Sequence, residues 1–111
     1  MATIDDPATV ARLMDQLQAD LPIPAYPTKE VVRTLRGRGT KISADRLLYI
    51  QHVFYHGDEG GITCDVTPSH DAKTAILVSL THLRLPPDHP LSRDVRAYQR
   101  ERVKRIAELQ E

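Results

Sequence analysis

Residues that favour β-strands are concentrated in one stretch, from Arg46 to Leu85, and any fold of this chain must accommodate them as strands. Within it, the run LLYIQHVFYH from Leu47 to His56 contains no Gly or Pro, which predicts a first strand. The run ends at GDEGG, whose glycines suit a hairpin turn because glycine reaches positive φ without steric cost. The return strand is predicted from Ile62 to Thr67.

A third strand is predicted after a second turn. The turn is marked by Pro68, Ser69 and Asp71, and the run TAILVSLTHL from Thr74 to Leu83 is the most apolar in the chain. The three runs together predict a three-stranded antiparallel β-meander.

The length of the GDEGG turn decides which side chains face the core, because a slip of one residue moves a whole strand's side chains to the other face. A three-residue turn is preferred here. It places His52 and His56 on a partly covered face and leaves the open face to Tyr49, Val53 and Tyr55. The alternative, a two-residue turn centred on Glu59-Gly60, pairs Val53 and Tyr55 with Val66 and Cys64.

Two helices are predicted before the strands. Asp6 and Pro7 form a good helix start, and the helix should end near Asp20, before the proline-rich connector LPIPAYP. Thr28 is the predicted cap of the second helix, which ends at Gly37 or Gly39.

A long helix is predicted from about Pro90 to Leu109, and its apolar stripe is interrupted by Arg102. Either the guanidinium of Arg102 reaches solvent over the sheet, which is preferred, or it pairs with a carboxylate at an interface. The predicted fold is therefore α+β and a single domain over residues 1–111. It has two N-terminal helices, a three-stranded antiparallel meander, and a long C-terminal helix packed on one sheet face.

Composition limits the possible partners. The chain has 15 basic and 15 acidic side chains, so no global field attracts nucleic acid or membrane. No apolar run approaches ~18 residues and the N-terminus is acidic, which predicts neither a membrane-spanning helix nor a signal peptide, and hence a cytoplasmic protein. The single cysteine, Cys64, excludes an internal disulfide and is predicted to be a small buried hydrophobic residue.

The first functional hypothesis is a non-catalytic interaction module without a cofactor. An open sheet face carrying Tyr49, Val53 and Tyr55 is apolar enough to bind a protein partner or a second copy of the chain as a homodimer. The return strand is taken as a short edge to which another chain can add. The acidic turn residues Asp58 and Glu59 are predicted to contact a cationic partner.

The alternative hypothesis is a nucleic-acid-associated accessory protein. One basic segment surrounds the turn GRGTK, and a second group of cations lies within ~80° on one side of the last helix. The residues are Arg36, Arg38 and Lys41 in the first segment, and Arg93, Arg96, Arg100 and Lys104 in the second. Solvated helix surfaces and a helix-terminating turn are the structural alternatives for both.

The predicted order of a helix at 28–37, a meander at 47–83 and a helix at 90–109 resembles in topology the double-stranded-RNA-binding domain. In that family the loop between the first two strands enters the minor groove, and lysines at the start of the last helix contact phosphate. Here that loop carries Asp58 and Glu59, which phosphate would repel, and the helix start carries Arg93 and Arg96. The resemblance therefore concerns element order and does not imply that mode of binding.

The third hypothesis is a small histidine-dependent enzyme or metal protein built on His52, His56 and His82. On a strand, His52 and His56 would be ~13 Å apart, too far to share one ion, although His82 on a neighbouring strand could approach either. Ser79, His82 and Asp65 form a hydrolase constellation only if a particular register is assumed. The sequence favours a non-catalytic role.

Overall fold

The structure, a computed structural model, describes residues 4–67 and 75–110. The α+β class and the long C-terminal helix are confirmed, but the strands form two antiparallel three-stranded sheets and not one meander. The helices are α1 (Pro7–Asp20), α2 (Lys29–Gly37), the single turn α3 (Gly57–Gly60) and α4 (Ser92–Leu109). The strands are β1 (Ile23–Pro27), β2 (Leu48–Ile50), β3 (His52–Tyr55), β4 (Ile62–Asp65), β5 (Leu77–Ser79) and β6 (Leu83–Arg84).

The sheets have the strand orders β2-β1-β6 and β3-β4-β5. The topological resemblance to a double-stranded-RNA-binding domain therefore does not hold, because β1 precedes α2 and the predicted meander is divided. The predicted second turn at Pro68, Ser69 and Asp71, with the start of the third run at Thr74, lies outside the described residues.

Both N-terminal helices have the predicted bounds. Asp6 caps α1, since its Oδ2 accepts a hydrogen bond from the Thr9 amide at 3.0 Å. Thr28 immediately precedes α2, but its side chain makes no capping bond, and within the described residues its buried Oγ1 has no hydrogen-bond partner. The position of the second helix was therefore correct, and the mechanism expected at its start was not.

The proline-rich segment predicted as a connector is β1, the middle strand of its sheet. Proline lacks an N–H and is normally confined to sheet edges. Residues 23–25 pair only with β2 and residues 26–27 pair only with β6, so each half of β1 has a single neighbour. Each half is locally an edge, which explains how a strand containing Pro24 and Pro27 lies between two others.

The first predicted strand is divided at Gln51 into β2 and β3, which belong to different sheets. Asp65 is paired with His52, yet its carbonyl oxygen also accepts a hydrogen bond from the Gln51 amide at 2.9 Å. Two consecutive residues thus oppose one, as in a β-bulge. Because of the extra residue, Ile50 and Val53 both face the core and are 0% and 7% exposed.

The β3–β4 hairpin has neither predicted turn. Its loop is α3, and Val53 pairs with Cys64 while Tyr55 pairs with Ile62. The preferred register is wrong, because it exposed Val53. The alternative gave Val53 the correct face, with a pairing shifted by two residues. The prediction that the return strand is an edge is also wrong, since β4 is the middle strand of its sheet.

The third predicted strand also changes sheets. Its first part, β5, pairs with β4, and its last part, β6, pairs with β1 after a 3-10 turn at Leu80–His82. Ser79 Oγ accepts a hydrogen bond from the Thr81 amide at 3.3 Å and so caps this turn. The two bent segments, β2–β3 and β5–β6, run from one sheet into the other, so both sheets contribute to one hydrophobic core.

Arg102 is buried against the loop of the β3–β4 hairpin. Its Nη1 donates to the Asp5 carboxylate at 2.9 Å and to the Asp58 carbonyl oxygen at 2.8 Å, and Nη2 donates to the Glu59 carbonyl oxygen. Arg102 and Asp5 are only 5% and 6% exposed. The preferred expectation that this guanidinium reaches solvent is wrong, and the carboxylate that pairs with it belongs to its own chain.

The same region holds three distant segments together. The Asp58 carboxylate accepts hydrogen bonds from the amides of Ile4 and Asp5 at 2.8 and 2.7 Å. Tyr98 Oη, from α4, accepts one from the Ile62 amide at 3.1 Å. The N-terminal segment, the hairpin and α4 therefore share one hydrogen-bonded cluster, centred on Arg102.

Gly61 is the position at which this cluster leaves no room for a side chain. A Cβ there would lie 2.7 Å from Arg102 Cζ and 2.8 Å from Tyr98 Oη, at a φ of +67°. Gly39 has a comparable φ of +87°, but a Cβ added there would have nothing within 4 Å of it. Gly61 also has a ψ of −159°, and this combination of φ and ψ is essentially confined to glycine, so Gly39→Ala is a control for positive φ alone.

We expect Gly61→Ala to lower the free energy of unfolding more than Gly39→Ala does, by at least about 1 kcal/mol, because overpacking and a backbone conformation essentially confined to glycine are combined at Gly61. Urea unfolding of the two variants measures the difference. Equal losses would show that the cluster gives way to a Cβ and does not depend on close packing at Gly61.

Candidate interaction surfaces

The side of sheet β3-β4-β5 that faces away from the core is called here the outer sheet face. Its rows follow from the register, in which His52, Asp65 and Leu77 are neighbours across the strands, and so are Phe54, Thr63 and Ser79. Phe54 and Leu77 are large apolar side chains, and they are 44% and 50% exposed. This face is therefore a mixed apolar and polar surface on a rigid sheet.

Two histidines flank Phe54 on the outer sheet face. The ring centroids of His52 and His56 each lie 6.4 Å from that of Phe54, the first stacked and the second tilted. His52 Nδ1 is 3.3 Å from Asp65 Oδ2. The face thus combines a phenyl ring and two imidazole rings with an acidic side chain.

Asp65 remains a strong acceptor on this face. Its partial burial works to raise the pKa, but hydrogen bonds from Thr67 Oγ1, from the Thr67 amide and from His52 outweigh this and lower the pKa below its usual value. The ionised carboxylate is therefore available at neutral pH to pair with His52 or with a cation on another chain.

The predicted partner-binding tyrosines lie on the surface, but Val53 does not. Tyr49 on β2 is 48% exposed and Tyr55 at the end of β3 is 41% exposed. The Tyr55 hydroxyl donates to Asp5 at 3.1 Å, and burial together with this acidic neighbour raises the pKa of Tyr55 to about 12. Val53 lies in the core, because the bulge at Gln51 reverses the expected alternation.

The predicted acidic contact site, Asp58 and Glu59, is engaged within the chain. The Asp58 side chain holds the amides of Ile4 and Asp5, and the carbonyl oxygens of Asp58 and Glu59 accept from Arg102. Hydrogen bonds from the amides of Asp5 and Ile4 lower the pKa of Asp58. Asp58 therefore stabilises contacts within the chain, in addition to any contact it makes with a partner.

The predicted basic residues lie along clefts and on the exposed side of α4. Arg36 and Lys41 line a shallow cleft of about 550 Å³ that also contains Arg46. Arg96 lines a second cleft of about 760 Å³, and the two clefts meet at Ala44. Arg38 lines a separate cleft, and Arg93, Arg100 and Lys104 are exposed on α4.

The structure places His52 and His82 beside different carboxylates and does not bring them together as ligands. His52 is paired with Asp65, whereas His82 Nδ1 lies 3.9 Å from Glu30 on α2. Among the side chains that the structure describes, no group of three or more His, Cys, Asp or Glu is placed to hold a metal ion. Ser79 Oγ is 2.7 Å from Thr81 Oγ1 in the 3-10 turn and bonds to none of the histidines that the structure describes.

Cys64 is a core residue, as predicted. It is fully buried, and that burial raises the pKa of its thiol to about 12. At neutral pH it is therefore a protonated, apolar side chain and not a nucleophile.

The residues that the sequence analysis missed belong to surfaces built by long-range pairing. Phe54 and Leu77 become neighbours of the same face only through β4, and Arg84 lies beside Tyr26 only because β6 pairs with β1. The local signal available was the spacing of Ile50 and Val53, two apolar residues three apart, which fits a break in the strand and not a regular alternation.

Comparison with protein-family models, with curated proteins and with solved structures gave no match. No helix within residues 4–67 and 75–110 is both long enough and apolar enough to cross a membrane.

The hydrogen bonds to Asp58 predict an acid-dependent stability. Because its pKa is lower in the folded chain, Asp58 contributes stability above the unfolded pKa of ~4, and this is lost as pH falls through the folded pKa. Thermal unfolding should show a wild-type advantage over Asp58→Asn that is constant down to about pH 4 and then shrinks. Asp15→Asn, on the exposed side of α1, is the control for the change of charge. An advantage of Asp58 that persisted undiminished at pH 2.5 would contradict the role of its ionised carboxylate.

Proposed function

We propose that this chain is a non-catalytic interaction module that forms a homodimer through its outer sheet face. The observation that carries the proposal is the position of Phe54. It is the only phenylalanine in a chain with only five aromatic residues, and it is 44% exposed between two histidines. An aromatic side chain on a rigid strand is a typical anchor of a protein interface, because it buries a large area at little cost in conformational entropy.

A second copy of the chain fits this face better than a strongly charged partner does. A twofold interface places each surface patch against itself, so the patch must be self-complementary. The outer sheet face carries both His52 and Asp65. Across a twofold axis, His52 of one copy can lie opposite Asp65 of the second copy, and Asp65 of the first opposite His52 of the second. The formal net charge of zero also does little to oppose association between copies.

The edge of the sheet adds a second element to the proposed interface. β3 is an edge strand of the sheet that carries the outer face, and an edge strand offers unpaired backbone groups to another chain. Tyr49, on β2 of the other sheet, is a further exposed aromatic side chain. A face of three short strands is small, so we expect a transient dimer with an interface at or below ~1,200 Å².

The cytoplasmic setting predicted from the sequence is part of the proposal, as is the absence of catalysis. The alternative is that a different protein binds the outer sheet face. It would leave the chain monomeric when purified alone, so the oligomeric state decides between the two.

Leu77 and Leu109 provide a matched pair for the experiment. Leu77 lies on the outer sheet face and Leu109 at the end of α4, and they are 50% and 52% exposed. We expect Leu77→Glu to weaken dimerisation at least about tenfold and Leu109→Glu to leave it unchanged, since only the first places a charge in the interface. Sedimentation equilibrium from about 10 µM to about 1 mM covers the affinities of transient dimers.

The wild-type dimer should persist at high salt, because its contacts are mainly apolar. A monomer at every concentration, or equal effects of the two leucine variants, would overturn the assignment of the outer sheet face as a homodimer interface. Retained secondary structure in both variants, measured by circular dichroism, confirms that association and not folding was altered.

A further inference from the structure

A second surface with different chemistry lies where two clefts meet at Ala44. The first cleft is formed by the end of α2 and the segment that follows it. Its three charged lining residues are all basic: Arg36, Lys41 and Arg46. This cleft therefore has a positive potential although the chain as a whole is neutral.

The second cleft continues the positive surface and adds an aromatic ring. It is lined by Tyr26 from β1, Arg84 from β6 and Arg96 from α4. Tyr26 is directly paired with Arg84 in the β1–β6 register, so the ring and the guanidinium stand on adjacent strands. An aromatic ring beside cations is the combination that single-stranded nucleic acid requires, with bases stacked on the ring and phosphates bound by the cations.

Among the described residues, only one carboxylate lines the two clefts. It belongs to Asp45, which accepts a hydrogen bond from Ser43 Oγ at 2.6 Å. That hydrogen bond lowers the pKa of Asp45, so the carboxylate is charged at neutral pH and opposes the five cations in part. The balance of charges remains strongly in favour of an anionic ligand.

Among the described residues, the cations of the clefts form no ion pairs with carboxylates. The salt bridges between described residues involve other basic side chains, among them Arg102 and Arg105. Arg96 has a long hydrogen bond of 3.4 Å to Ser92 Oγ. A ligand can therefore bind these groups without breaking an internal salt bridge between described residues.

We propose that single-stranded nucleic acid binds along the two clefts, which together are called the basic groove, with a base stacked on Tyr26 and phosphates bound by Arg36, Lys41, Arg46, Arg84 and Arg96. A single strand fits better than a duplex, because the bases of a duplex are already stacked on each other and cannot lie on Tyr26. The structure brings together two basic segments that are far apart in sequence, and this proposal is independent of dimerisation through the outer sheet face.

The experiment uses the full chain, freed of nucleic acid, and a fluorescently labelled oligouridine of about twelve nucleotides, a length within the range that single-strand-binding grooves cover. Fluorescence anisotropy at several salt concentrations gives the affinity and its salt dependence. Neutralising up to five phosphates predicts a slope of log K against log salt of about −2 to −3.5. The same oligonucleotide annealed to its complement tests the preference for a single strand.

Three charge-reversal variants locate the site. Arg46→Glu and Arg84→Glu, one in each cleft, should each weaken binding about tenfold and reduce the salt slope by ~0.7. Arg12→Glu changes the same charge on α1, where Arg12 lines a different cleft, and should leave the affinity within about twofold. Tyr26→Leu should weaken binding by about fivefold or more without changing the salt slope, because it removes stacking and not charge.

Each alternative result overturns the proposal. Absence of binding at low salt, or equal losses in Arg12→Glu and Arg46→Glu, would remove the basic groove as the site. Equal affinity for the duplex and for heparin, with no effect of Tyr26→Leu, would show a surface for polyanions in general and not a single-strand site. Leu77→Glu should bind the oligonucleotide as the wild type does, which separates this test from that of the homodimer.

Discussion

The buried ion pair between Arg102 and Asp5 is the interaction on which the rest of the arrangement depends. Removing two charges from water is costly, and here the cost is offset because the guanidinium also bonds two carbonyl oxygens of the hairpin loop. Loss of either partner would leave a buried charge unpaired, which costs about 3–5 kcal/mol in other proteins. The pair fixes α4, the hairpin and the N-terminal segment, and so it holds the sheet whose other face is free for contacts.

The two proposed surfaces differ in how the fold builds them. The outer sheet face depends on one hairpin and its neighbour β5, and its chemistry is aromatic and mixed in charge. The basic groove depends on the end of α2 and the segment after it together with β1, β6 and α4, and its chemistry is cationic with a single tyrosine. Because the charges cancel over the whole chain, any ligand of either surface would meet its local composition and not a net field.

The sequence was sufficient for α1, α2, α4 and the class of fold, and insufficient for α3 and the sheets. The bounds of α1 follow from local signals, an Asp-Pro start and a stripe of apolar residues. The bulge at Gln51 and the strand formed by a proline-rich segment have no such signal, since both depend on which distant strand pairs with which residue. Arg102 was recognised as unusual, but its partner Asp5 is 97 residues away and only the folded chain reveals it.

That separation has a consequence for the order in which the molecule forms. A contact closing a loop of this length carries a larger entropic cost than any hairpin does, and it cannot exist before residue 102 has been synthesised. Until then the Asp5 carboxylate lacks its guanidinium partner, on a chain that already contains all six strands of the described structure. The ion pair is therefore among the last contacts of the described structure that synthesis of the chain makes possible.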